Sequence, residues 1–146
     1  FPLFYSGPSA EPMNYWLVKS EPSVYPWEQF LKEKETSWTG VRNYAARLHL
    51  NGMKKGDMVM FYHSNEGMEV VGIAKVKRES YQDPTTDDVR WVTVDLVPFK
   101  KLKKPVSLSA IKNEPRLKNI GLVRIGRLSV MPLTAEEFDT LISMGS

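Results

Sequence analysis

Short apolar segments separated by turn residues recur along the chain from Met13 onward, and their spacing predicts a strand-rich domain. Residues 58–63 are apolar on both faces, which is typical of a strand buried on both sides. Residues 91–97 alternate instead, so that Val92, Val94 and Leu96 share one face. The predicted strands cover residues 15–19, 58–63, 69–78, 91–97 and 127–131.

Helix start signals lie between these strands. Asn43 is a suitable N-cap for a helix that runs to about residue 51, with Gly52 just past its end. Thr134 and Glu137 form a capping box that opens a C-terminal helix. Two shorter helices are expected near residues 27–31 and 107–111.

Two breaker residues refine the strand predictions. Gly72 lies inside the predicted strand 69–78, which indicates a β-bulge or a close backbone approach. Pro132 follows residues 127–131 and is expected to end that strand. The predicted fold class is α+β, a mixed β-barrel or curved sheet flanked by short helices.

Residues 1–12 differ from the rest of the chain, because they contain three prolines and no periodic pattern. We interpret them as a vector-derived or accessory extension, and residues 13–146 as one domain without repeats or a linker. Hydrophobic residues make up 42% and charged residues 25%, which is ordinary for a globular protein. No apolar run approaches the roughly 18 residues that span a bilayer, so no membrane partner is expected.

The chain has no cysteine and two histidines, which limits its chemistry. Disulfides and thiolate catalysis are excluded, and little material remains for a metal site. We therefore expect neither a metal nor a cofactor. The lack of cysteine fits a reducing compartment, so a cytoplasmic location is predicted, with nucleoid association if the source is bacterial.

Charge is distributed unevenly along the chain. The net charge is +3, but residues 98–131 hold nine basic residues and one acid, Glu114, and so carry +8. Such an asymmetry suggests a partner with phosphates. A solvated lysine-rich loop over residues 100–104 explains that part of the span equally well.

No arrangement of residues indicates catalysis. His63 and Ser64 are adjacent at a strand end, where neighbouring side chains point to opposite faces, so they would not meet as a base and nucleophile. Phosphate-loop, dinucleotide and nucleophile-elbow motifs are missing from the sequence. If the protein is an enzyme, its best candidates are Lys19, Glu21, His63 and Asp83.

The segment Trp38–Arg47 offers a binding function instead. Asn43 at a helix start, next to Arg42, leaves backbone N–H groups and the positive end of the helix dipole for an anion. Trp38 and Tyr44 can supply flat faces for a nucleic-acid base. Composition alone favours the alternative that both rings pack in the core.

Seven motifs in register resemble one known family. They are Lys19-Ser20-Glu21-Pro22, Trp38-x-Gly40-Val41-Arg42-Asn43-Tyr44-x-Ala46-Arg47, Lys54-x-Gly56-Asp57, Phe61-Tyr62-His63-Ser64-Asn65, Asp83-Pro84-Thr85, Trp91-x-x-Val94-Asp95 and Arg127-Leu128-Ser129-Val130-x-Pro132. In this order they closely resemble the EVE domain family, over Met13 to about Met144.

The resemblance implies a PUA-like fold and a non-catalytic module that reads a modified base in DNA or RNA. It implies that Trp38 and Tyr62 stack on the base, that Ser64, Asn65 and Asp83 read its edge, and that Lys19, Arg42, Arg47 and Arg127 contact phosphate. The full implied base-binding set is Lys19, Ser20, Trp38, Gly40, Val41, Arg42, Asn43, Tyr44, Arg47, Tyr62, Ser64, Asn65, Asp83, Pro84, Arg127 and Ser129. A monomer is expected.

The chain departs from the family pattern at two positions. Ala45 stands where the family often has Gln, and Gln82 stands where it often has Pro. Two other classes of function stay open at this point. One is an enzyme that acts on a modified nucleotide or small polar substrate. The other is a small-molecule-sensing or protein-interaction module, which predicts an exposed apolar patch or a closed apolar pocket.

Overall fold

One curved six-stranded sheet organises the protein, whose computed structural model describes residues 14–146. The strands are β1 (Tyr15–Ser20), β2 (Thr36–Ser37), β3 (Met58–His63), β4 (Glu69–Gln82), β5 (Val92–Ser107) and β6 (Val130–Leu133). Their order across the sheet is β2-β5-β4-β3-β1-β6, with β1 and β3 parallel and the other pairs antiparallel. The predicted α+β class with a mixed, curved sheet is confirmed. The predicted extension, residues 1–12, lies outside the described residues.

Short helices flank the sheet as predicted. They are α1 (Trp27–Glu33), α2 (Tyr44–Gly52), α3 (Leu108–Lys112), α4 (Gly121–Arg124) and α5 (Ala135–Met144), with a 3-10 turn at Pro115–Leu117. Two of these segments, α4 and the 3-10 turn, are helical without having been predicted. The Asn43 side chain caps α2 by accepting a hydrogen bond from the Ala46 N–H, at 3.0 Å. Thr134 and Glu137 complete the capping box of α5. The helix α2 includes Gly52, which was predicted to lie just past its end.

Four predicted strands have different bounds, although β1 is only one residue longer than predicted. The hairpin of β4 and β5 extends beyond both predictions, to Gln82 and Ser107, because the two strands hydrogen-bond to each other along most of their length. Residues 100–104 are therefore strand rather than loop. The last strand begins at Val130, and Pro132 lies inside it. Proline is tolerated there because β6 is the edge strand of the sheet.

An aromatic cluster packs α1 onto the sheet. The Trp27 ring meets the Phe61 ring nearly edge-on at 5.3 Å, and the Phe30 ring stacks on Phe61 at 5.5 Å. All three residues are fully buried. The start of α1 is fixed as well, because the backbone N–H of Trp27 donates a hydrogen bond to Nε2 of His63 at 3.1 Å.

Gly72 makes the close backbone approach that its position predicts. A Cβ atom at this residue would lie 2.5 Å from ring atoms of Trp27, well inside contact distance. Tyr62 pairs with Val70 and Phe61 with Gly72, so the register also shifts by one residue beside it. The strand β4 can pass beneath the indole only because residue 72 has no side chain.

Replacing Gly72 by alanine is therefore expected to lower the free energy of unfolding by roughly 1–3 kcal/mol, since the added methyl group overpacks a rigid core. Chemical denaturation followed by far-UV circular dichroism measures this loss. Gly126→Ala is the matched control, because a Cβ there meets nothing within 4 Å. Equal denaturation midpoints for the two variants would contradict the packing argument.

Candidate functional site

An open cavity of about 570 Å³ lies at the end of β1, between the turn that follows Ser20 and residues 36–42. We call it the first cavity. Seven residues of the predicted base site line it: Lys19, Ser20, Trp38, Gly40, Val41, Arg42 and Ser129. Residues outside that predicted set also line it, namely Glu21, Val24, Tyr25, Thr36, Ser37 and Thr39.

Trp38 serves both the core and the first cavity. Its ring lies edge-on to Phe61 at 5.7 Å and to Tyr25 at 6.3 Å, yet the residue is only half-buried and lines the cavity. Its backbone N–H donates to the carbonyl of Val94 at 2.8 Å, which ties it to β5. Core packing and cavity lining, which the sequence set against each other, are therefore both true of Trp38.

Tyr25 is a cavity residue that the sequence analysis missed. The Ser20 hydroxyl donates to the Tyr25 carbonyl at 2.6 Å, and the Tyr25 hydroxyl donates to Glu33 at 2.7 Å. Burial, assisted by the charge of Glu33, raises the pKa of Tyr25 to about 12, so the phenol stays neutral. Its aromatic side chain between the predicted strand 15–19 and the helix near residues 27–31 was the available signal.

Asp83 bonds to Gly40 and Arg42, which belong to the segment 36–42 that forms one wall of the first cavity. Its carboxylate is fully buried and accepts from the Gly40 N–H at 2.8 Å and from Arg42 Nη1 at 2.9 Å. The N–H and hydroxyl of Thr85 donate to the other oxygen, at 2.7 and 2.6 Å. Burial alone would raise the pKa of Asp83, but these hydrogen bonds outweigh it and hold the pKa well below the usual range. The side chain does not line the cavity.

Of the eight other predicted residues that lie outside the first cavity, four lie outside the neighbouring second cavity as well. Asn43 caps α2, and Pro84 follows Asp83 in the turn after β4. The exposed Tyr44 ring lies 5.3 Å from the Trp91 ring, and the Arg47 guanidinium lies 5.2 Å from the Tyr44 ring centre. Tyr44 and Arg47 thus belong to a separate surface cluster.

A second cavity of about 420 Å³ adjoins the first and contains the rest of the predicted set. Tyr62, Ser64, Asn65 and Arg127 line it. Three residues line both cavities: Lys19, Glu21 and Ser129. The structure therefore divides what the sequence treated as one pocket into two neighbouring cavities.

Lys19 stands between the two cavities. Its ammonium donates to the carbonyl of Gly126 at 2.7 Å, and partial burial lowers its pKa from the usual value. Arg42 lines the first cavity and Arg127 the second, while among residues 14–146 Glu21 is the one acid that lines either. Since Asp83 pairs with Arg42 at 2.9 Å, these groups keep a net excess of one positive charge, which favours an anionic ligand.

The four residues of the enzyme alternative do not converge. Lys19 and Glu21 line the first cavity, whereas His63 uses Nε2 to accept the Trp27 N–H and Asp83 is buried. Residues 14–146 contain no cluster of three histidine or acidic side chains that could hold a metal ion. Within the same residues, no helix is long and apolar enough to cross a membrane.

Comparison with known proteins places these residues in a family context. Residues 14–144 match the EVE domain. Thymocyte nuclear protein 1 of Mus musculus is 35% identical over 165 residues, covering 90% of this chain and 73% of the mouse protein. A protein from Rhodopseudomonas palustris has a TM-score of 0.87 at 50% identity, covering 91% of this chain and 93% of its own.

Two further structures extend the comparison. Human THYN1 protein, solved in complex with DNA that contains 5-methylcytosine, has a TM-score of 0.83 at 32% identity and covers 91% of this chain and 98% of its own. ASCH from Zymomonas mobilis has a TM-score of 0.57 at 12% identity, which shows likeness of fold alone and agrees with a PUA-like architecture. The family match over nearly all described residues and the identity to these relatives show that the chain belongs to the EVE domain family.

Proposed function

We propose that this protein is a non-catalytic DNA-binding module that holds a modified base in the first cavity. The observation that carries the proposal is the half-buried Trp38 ring on the wall of an open cavity that Lys19 and Arg42 also line. A volume of about 570 Å³ is in the usual range for a small-ligand site. The human relative bound to 5-methylcytosine-containing DNA supports DNA over RNA and a modified pyrimidine as the base.

Each lining residue has a proposed role. Trp38 stacks on the base, and the Ser20 and Ser37 hydroxyls accept hydrogen bonds from its edge, since their own hydrogens are donated to the Tyr25 carbonyl and to Asp95. Arg42 and Lys19 contact phosphate, while Asp83 supports the wall instead of reading the base. The cytoplasmic location stays a prediction.

Trp38→Ala is expected to weaken binding to an oligonucleotide with one 5-methylcytosine about 5- to 150-fold, because stacking contributes roughly 1–3 kcal/mol per base. Fluorescence anisotropy at one fixed salt concentration measures the change. Phe99→Ala is the matched control, since this ring is 51% exposed and lines neither cavity. Trp38→Phe keeps a ring and should recover part of the affinity.

Because Trp38 also packs against Phe61, unfolding midpoints must first show that Trp38→Ala is folded at the assay temperature. A folded Trp38→Ala protein with wild-type affinity and discrimination would remove the stacking role.

Arg42→Gln is expected to weaken binding of modified and unmodified oligonucleotides alike, because a phosphate contact is independent of sequence. The slope of log K against log salt should become shallower by about one. Arg116→Gln is the control, since Arg116 pairs with Glu114 at 3.1 Å and lines neither cavity. An unaltered salt slope in Arg42→Gln counts against the phosphate contact.

Asp83→Asn is expected to lower the free energy of unfolding by roughly 1–3 kcal/mol at neutral pH, because several donors lose a charged acceptor. The pKa of Asp83 is depressed in the folded state, so its stabilisation is present above about pH 4 and is lost as the pH falls further. The gap between wild type and Asp83→Asn should therefore shrink below about pH 4. Denaturant titrations across this pH range test it, and a gap that does not change with pH would contradict it.

A further inference from the structure

We propose that the second cavity is a binding site for the nucleotide next to the recognised base, so that the ligand unit is two consecutive nucleotides of one DNA strand. This inference rests on the proposed function, because it assumes that a base occupies the first cavity. It adds a second nucleotide site and assigns Tyr62 and Arg127 to that neighbour instead of to the base itself.

The two cavities adjoin in a way that suits a continuous strand. Lys19, Glu21 and Ser129 line both, so the two cavities are neighbours and one strand can lie across these shared residues. The walls of the two cavities are also hydrogen-bonded to each other. The backbone N–H of Ser64, in the second cavity, donates to the carbonyl of Ser20, in the first cavity, at 2.9 Å. A phosphodiester that links two nucleotides would therefore lie beside the Lys19 ammonium.

Tyr62 provides the most specific observation. The residue is only 3% exposed and lines the second cavity, and its hydroxyl has no hydrogen-bond partner among residues 14–146. The hydroxyl is not one of the side-chain polar atoms shut off from solvent, so it faces the cavity and can bond to its contents. Burial raises the pKa of Tyr62, which keeps the phenol protonated and able to donate.

The remaining lining suits a nucleotide. Arg127 is exposed and makes no ion pair within the described part of the chain, so its charge is available to a phosphate. Asn65 adds an amide from the turn after β3, where its backbone has a φ of 66°. Met68, Leu108 and Leu122 offer apolar surface for a sugar and base.

The test compares the nucleoside 5-methyldeoxycytidine with the two single-stranded dinucleotides that carry 5-methylcytosine at the 5′ or the 3′ position. Isothermal titration with wild type is expected to show one dinucleotide binding about tenfold tighter than the nucleoside, from one phosphate contact and one hydrogen bond. Tyr62→Phe removes only the hydroxyl and should reduce this gain about 3- to 10-fold. Arg127→Gln should reduce the same gain, whereas Arg116→Gln should leave it intact.

Two outcomes separate this inference from the proposed function. If Trp38→Ala weakens every probe but wild type binds nucleoside and dinucleotides equally, the second site is overturned and the first cavity stands. If Trp38→Ala changes nothing, the proposed function fails. A dinucleotide gain that persists unchanged in both Tyr62→Phe and Arg127→Gln also overturns the inference, as does a wild type that binds none of the probes.

Discussion

The buried carboxylate of Asp83 is the interaction on which the candidate site depends. Asp83 lies at the turn between β4 and β5, and its carboxylate accepts hydrogen bonds from the Gly40 N–H and the Arg42 guanidinium. These bonds attach the segment that forms the cavity wall to the hairpin. Gly40 has a φ of 84°, a conformation that glycine adopts at little cost, so the chain can turn its N–H toward the carboxylate. With this end fixed and the Trp38 N–H bonded to β5, the indole has a defined place at the cavity edge.

Contacts made by Trp27 determine the position of the opposite side of the first cavity, which includes Tyr25. The Trp27 ring can lie against β4 only because Gly72 has no side chain, and the Trp27 N–H is held by His63. These contacts place α1 and, just before it, Tyr25, whose carbonyl accepts from Ser20 at the end of β1. The cavity therefore forms between two segments that the core anchors separately, which makes its shape a consequence of packing rather than of loop sequence.

The parts of the fold that the sequence predicted are those governed by local rules. Asn43 and Thr134 cap their helices, as short-range side-chain chemistry requires, and Gly72 marks a close approach. The extension of β5 through the lysines at 100–104 was not predictable, because it depends on hydrogen bonds to β4 and not on the residues themselves. The same limit applied to the site. Family motifs identified Asp83 and Tyr62, but only tertiary structure places one behind the wall and the other in a separate cavity.

The positions of Ala45 and Gln82 in the structure show whether these two departures from the family pattern change the lining of the cavities. Ala45 is exposed on α2 and lines neither cavity, so the amide that relatives often carry there would not enter the lining described for this chain. Gln82 also lines neither cavity, and its side chain donates to the Thr86 carbonyl at 3.2 Å, within its own turn. Both differences lie on the side of the wall where Asp83, Tyr44 and Trp91 meet. They alter the surface on that side, while Lys19, Ser20, Trp38 and Arg42, which are proposed to hold the base and its phosphate, all belong to the seven family motifs.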